Sequence, residues 1–202
     1  EISACLVGSE MCIRDSLIIE KQHEIPQMEL MPRKLELEDT CNYVFVGLRR
    51  AGKSYLMFQH IQSLLAEGKA QIEDILYINF EDERIASIRS EELNLILEAY
   101  HEMYGNKPLI YLDEIQNVVG WEKFARRLAD SQYKVFITGS NAQMLSKEIY
   151  TTLGGRYIAM EIFPFSFPEY LQYHRFALPR NWEYDISVKT NLVKLFQPYF
   201  YF

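Results

Sequence analysis

Residues 47–54, Gly-Leu-Arg-Arg-Ala-Gly-Lys-Ser, constrain this chain more than any other stretch. They fit G-x-x-x-x-G-K-[ST], a loop whose glycines let successive backbone N–H groups turn inward around phosphate oxygens. Lys53 is then placed to reach the β- and γ-phosphates as a point charge, and the Ser54 hydroxyl to hold Mg²⁺. The following helix points its positive end at the same anion. The flanks agree with this assignment. Asn42 to Val46 is a β-branched and aromatic run predicted as a strand, and Lys53 to Glu67 is predicted as a helix closed by Gly68. A glycine turn beside a surface lysine is the competing explanation, and the strand and helix argue against it. The expected nucleotide contacts are Gly47, Leu48, Arg49, Arg50, Ala51, Gly52, Lys53, Ser54 and Tyr55.

A second pattern lies downstream. Leu109-Ile110-Tyr111-Leu112 is followed by Asp113-Glu114, an acidic pair at the end of an apolar strand. A carboxylate there can hold Mg²⁺ opposite Ser54, the role given to Asp113. Glu114, one residue later, is placed to orient or deprotonate an attacking water. Gln116 can help position that water or cap a turn, and the turn is preferred. Between the two motifs, Asp74 to Phe80 reads as a buried strand ending in Glu81-Asp82-Glu83. Ligands of open α/β sheets bind past such strand ends, which makes Glu81 a candidate, with a solvated turn as the alternative for Asp82 and Glu83.

Ser90 to Tyr104 reads as a helix with Leu93, Ile96, Leu97 and Tyr100 on one face, ended by Gly105. Trp121 to Asp130 is a shorter amphipathic helix. The strand from Tyr133 runs into Ser140 and Asn141, either of which can touch the γ-phosphate or the water, the role called sensor 1, or cap a helix. Leu153-Gly154-Gly155-Arg156 leads into a fifth strand, Tyr157 to Ile162. Arg156 is a candidate arginine finger, in cis or in trans, or a structural ion-pair former.

Composition bounds the rest. The chain has 202 residues, 49% of them hydrophobic, enough for one substantial core and the start of a second. A net charge of −7 argues against a generally basic nucleic-acid surface, without excluding a local patch. No apolar run is long enough to span a membrane. The stretch from Leu6 to Ser16 resembles a translated sequencing adapter, so residues 1–16 are read as a non-native segment. Cys41 is then the remaining cysteine, no disulfide forms within the chain, and a cytoplasmic location is expected. His23, His60, His101 and His174 show no metal-ligand spacing. Residues 17–40 are a lead-in with no assigned chemistry beyond a guess of contact with the adenine base, 41–171 the nucleotide domain, and 172–202 the start of a truncated helical region.

Taken in order, GLRRAGKS, ILYINFED, LIYLDEIQ, GWEKF, ITGSNAQML, LGGRY and FPFSFPEYL resemble the AAA-type ATP-binding proteins of bacteria and archaea that carry a C-terminal domain of unknown function. These are relatives of the archaeal ATPases and of the STAND ATPases. The resemblance implies an α/β, three-layer P-loop fold with a mainly parallel five-stranded sheet and an extra strand between the P-loop and Walker B strands. It implies ATP with Mg²⁺, hydrolysed to ADP and phosphate, and ATP rather than GTP. An ATP/ADP-gated switch with negligible turnover is the alternative, and phosphotransfer to a small molecule a third. A homo-oligomer is possible, and a protein or DNA client stays open. Family members continue beyond the aromatic run at Phe196 and Tyr199 to Phe202, so a fragment of a longer protein is expected.

Overall fold

The computed structural model describes residues 2–140 and 151–199, with side chains from residue 13 onward. Five strands, β1 (Asn42–Val46), β2 (Ile75–Asn79), β3 (Leu109–Asp113), β4 (Lys134–Gly139) and β5 (Tyr157–Glu161), form one sheet. Its order is β2-β3-β4-β1-β5. Every pairing is parallel. The sheet is therefore wholly rather than mainly parallel, and β4 is the strand inserted between the P-loop strand β1 and the Walker B strand β3. Parallel strands need crossovers, and the helices α2 (Lys53–Ala66), α3 (Leu93–Tyr104) and α4 (Trp121–Asp130) supply them. Gly105, with φ of 71°, closes α3 in the left-handed conformation expected of a glycine after a helix.

Burial on both faces explains why the strands read as near-continuous apolar runs. One face presents Val44, Val46, Leu76, Ile78, Ile110, Leu112, Val135 and Ile137, packed with α3, α4 and Leu17 and Ile18 of α1 (Ile2–Glu24). The other presents Tyr43, Phe45, Tyr77, Tyr111 and Phe136, packed with Leu56, Met57, Phe58 and Ile61 of α2. Helices on both sides of the sheet make the three layers.

The lead-in is tied down by side chains bonding to backbone. Gln22 of α1 donates to the Ile75 carbonyl at 2.9 Å and accepts from the Tyr104 hydroxyl at 2.6 Å. Further along, Gln59 of α2 accepts from the Arg33 N–H at 2.8 Å and donates to the Arg33 carbonyl at 2.6 Å. An extended segment without its own ladder satisfies its polar groups this way.

The chain divides into two compact units, residues 1–162 and 163–202. The second contains α5 (Phe167–Tyr173) and α6 (Ile186–Tyr199). Ser166 and Glu169 form a reciprocal capping box at the start of α5. Phe167 packs its ring against Phe196 and Tyr199, at centroid distances of 4.9 and 5.2 Å.

Candidate functional site

The loop after β1 is shaped by backbone conformations that favour glycine. Gly47 has φ of 149°, and a Cβ there would fall 2.1 Å from the Ile162 carbonyl oxygen. That oxygen belongs to the residue following β5, whose N–H donates to the Val46 carbonyl at 2.7 Å. Gly47 is thus required by the neighbouring strand as well as by any phosphate. Gly52, with φ of 88°, caps α2, and Arg50 takes a left-handed φ of 65° between them. Leu48, Arg49 and Arg50 are exposed, Ala51 is buried, and Tyr55 is exposed with its ring edge on Phe58.

Lys53 is 3% exposed. Its Nζ donates to the Leu48 carbonyl at 2.9 Å and the Gly47 carbonyl at 3.3 Å, and lies 3.9 Å from Glu114 Oε1. Burial lowers its pKa, and the carboxylates of Glu114 and Asp113 oppose that shift. Asp113, 1% exposed, is raised by desolvation and pulled back by hydroxyl donors from Thr138, Tyr77 and Ser54. Thr138 and Tyr77 take opposite oxygens of its carboxylate. The Ser54 hydroxyl, expected to share a metal with Asp113, thus lies near that carboxylate.

Glu114 adopts a left-handed backbone, φ 53° and ψ 41°, rare for a residue with a side chain. Its N–H donates to Thr138 Oγ1 at 2.9 Å. Thr138, fully buried, thereby links both acids through one hydroxyl. The Glu114 carboxylate accepts from Ser140 Oγ at 2.5 Å on one oxygen and from Gln116 Nε2 at 2.6 Å on the other. Strand order produces this meeting. Because β4 lies between β1 and β3, its carboxyl end brings Thr138 and Ser140 to the gap between the lysine and the acids.

Lys53, Ser54, Asp113, Glu114 and Ser140 are thus brought together, and Asn141 lies outside the described residues. Arg156 is not brought to the group. It precedes β5, whose Tyr157 pairs with Asn42 at the amino end of β1, whereas the loop follows Val46 at the carboxyl end. The strand between them spans about 16 Å. Arg156 instead pairs with Asp130 at 2.5 Å, the structural role weighed for it from the sequence. Glu81 reaches the loop through Arg49, at 2.8 Å, in an exposed ion pair. Tyr77 and Thr138 carry no motif signal. Their only cue in sequence is a hydroxyl-bearing residue within an otherwise apolar strand, where a buried polar tip needs a partner.

A family model described as "AAA domain" matches residues 41–171. The uncharacterized protein MJ1544 of Methanocaldococcus jannaschii is 39% identical over 189 residues, covering 92% of this chain and 39% of that protein. An uncharacterized protein of Haemophilus influenzae is 38% identical over 130 residues, covering 63% of this chain and 32% of its own length. The chain thus spans well under half of the curated relatives it matches. Among solved structures, Cdc6p from Pyrobaculum aerophilum aligns with a TM-score of 0.47 at 14% identity, covering 76% of this chain and 52% of that one. With the family model matching well over half of its length, this chain belongs to the AAA domain family of nucleotide-binding, ATPase-type proteins.

Proposed function

We propose that this domain binds Mg·ATP and hydrolyses it to ADP and phosphate. The observation that carries the reading is the convergence of Lys53 on Glu114 and Ser54 on Asp113, with Thr138 and Ser140 holding the two acids. The residues fit both groups. Positive-φ backbone at Gly47, Arg50 and Gly52 curls the loop into the start of α2, where helix N–H groups face an anion, and the buried Lys53 ammonium stands over the loop carbonyls. Ser54 and Asp113 offer two hard oxygen donors, and among the described residues no cluster of three His, Cys, Asp or Glu competes as a metal site. Such a pair suits Mg²⁺, which takes its remaining ligands from phosphate and water.

In this reading Lys53 and the loop amides, from Gly47 through Ser54 to Tyr55, hold the phosphates. Bound Mg²⁺ would neutralise charge on the phosphate oxygens. Glu114 receives the proton of the attacking water, and Ser140 holds the carboxylate that does so, with Asn141 as a second candidate beside it. Preorganised charge does most of the work in phosphoryl transfer. Arg156, held at the far end of β5, meets phosphate only on a second copy of the chain, which makes a homo-oligomer the natural form for an arginine finger. A cytoplasmic location and ATP as the nucleotide belong to the same proposal. The switch reading has one observation in its favour: both oxygens of Glu114 are already engaged.

The test is Mg²⁺-dependent phosphate release by the 202-residue chain, in parallel with ATP binding. Glu114→Gln should keep ATP affinity and lose release by about 100-fold or more. Lys53→Ala should lose the affinity itself, and unchanged ATP binding in that variant would sink the reading. ATP binding without phosphate release in the unaltered chain would favour the switch.

A further inference from the structure

We infer that Gln116 positions the hydrolytic water, fixing Glu114 through its amide nitrogen and accepting a hydrogen bond from the water through its amide oxygen. This rests on the ATPase reading above. Gln116 lies on the 3₁₀ turn Ile115–Asn117 that follows Glu114 directly. Its Nε2 donates to Glu114 Oε2 at 2.6 Å. An ionised carboxylate only accepts, so the amide nitrogen must face it and the amide oxygen must face away. That oxygen, Oε1, is buried and has no hydrogen-bond partner, alone in this respect among the side-chain polar atoms of the described residues.

Among the described residues this is the one buried side-chain acceptor left open, and it stands beside the Glu114 carboxylate, so a donor that reaches it satisfies it. Water is the donor the reaction brings. The turn cannot swing away to find another. Ile115 and Val118 are buried at 0% and 2% exposure, and the Asn117 side chain donates to the Phe80 carbonyl at 3.2 Å. The Glu114 N–H is held by Thr138 on the other side. One water proton then points to Glu114 and the other to Gln116 Oε1, which leaves an oxygen lone pair to face the γ-phosphorus. The water oxygen bonds to that phosphorus, the bond to the β,γ-bridging oxygen breaks with its electron pair leaving on ADP, and one proton passes to Glu114. Gln116 keeps its hydrogen bond to the remaining hydroxyl and exchanges no proton.

Gln116→Leu, of similar size, removes both the donor and the acceptor; Gln116→Glu keeps an acceptor but sets a second carboxylate against Glu114. In the full chain, both should lower kcat for phosphate release by about 10- to 100-fold. The Kd for ATP should stay within about twofold of the unaltered chain, since Gln116 holds no phosphate in this proposal. The Tm of the leucine variant should change little, because removing an unsatisfied acceptor offsets the hydrogen bond lost to Glu114. Trapping of ADP with aluminium fluoride, which mimics the γ-phosphoryl group with its in-line water, should weaken in step with kcat while binding of ADP alone does not. An unchanged kcat in the leucine variant, with the unaltered chain turning over, overturns this inference alone. Losses of ATP affinity and Tm that match the loss of kcat also overturn it, since Gln116 would then be structural. If the unaltered chain neither releases phosphate nor traps ADP with aluminium fluoride, the ATPase reading falls and this inference falls with it.

Discussion

From β1 to β4, the buried side chains on one face of the sheet are Val, Leu and Ile; those on the other include Tyr43, Phe45, Tyr77, Tyr111 and Phe136. Both faces bury their strands equally well, as the paired exposures of Ile78 and Tyr77, each 2%, illustrate. They differ in what lies at the ends of the side chains. An aliphatic residue contributes area and shape, whereas a tyrosine contributes area and then delivers a hydroxyl several ångströms away. Tyr77 delivers its hydroxyl to Asp113, Tyr111 to His60 Nδ1 at 2.9 Å, and Tyr43 to the Glu38 N–H at 2.7 Å. Asp113 and Thr138 project to this same face, two residues beyond Tyr111 and Phe136. The difference teaches that the core under α2 and the candidate site are one polar-tipped structure, while the core under α3 and α4 is support.

The largest effect that would sharpen this comparison is expected at Thr138. Thr138→Val leaves Asp113 and the Glu114 N–H each short of a partner, at about 1–3 kcal/mol of stability. It should also lower phosphate release by about 100-fold; chemical denaturation and a turnover assay at full folding measure the two separately. Acid is the next lever, because the aromatic face holds a half-buried histidine, His60. Burial, with Lys134 adding to it, pushes the His60 pKa down to about 4 from its ordinary 6.5. Between those values the unfolded chain binds a proton that the folded one refuses, so stability falls as pH falls. The loss amounts to at most about 1.4 kcal/mol per pH unit. His60→Gln should flatten that part of the slope, and identical slopes for the two proteins between pH 6.5 and 4 would show that the face does not titrate.

Tyr77→Phe is a smaller change, removing only the hydroxyl on Asp113. We expect about 1 kcal/mol of stability and a several-fold loss of turnover, with ATP affinity nearly unchanged. Ile78→Val, one residue along and on the opposite face, should cost about 0.5–1.5 kcal/mol and leave turnover per folded molecule as it was. If the two neighbours lowered turnover alike, the division of labour between the faces would be lost.

Much of this architecture was legible beforehand because it rests on local rules. The glycine loop, the apolar strand ending in Asp113-Glu114 and the amphipathic spacing of Trp121, Phe124, Ala125 and Leu128 each carry their own pattern, and the strand and helix positions followed. Thr138 was invisible as a link because its partners come from another strand, and only the insertion of β4 between β1 and β3 makes them neighbours. Tyr77 read as one more strand aromatic for the same reason. The distance of Arg156 from the loop is likewise a property of strand direction: a residue before a parallel strand and one after its neighbour stand at opposite ends, whatever their sequence suggests. For Gln116 the sequence offers water positioning or a turn cap and favours the cap, and what argues for the water is a single unpartnered oxygen that no sequence pattern records.

The close passage of the Ile162 carbonyl over Gly47 also bears on how the protein is made. β1 is flanked by β4 and β5, both of which follow it in the chain, and the loop at residues 47–54 is shaped against the residue that ends this run. A nascent chain that has emerged only as far as Asp113 holds both motifs but neither flanking strand of β1. The backbone against which Gly47 is shaped is therefore complete only once residue 162 has left the ribosome, well after both motifs have been made.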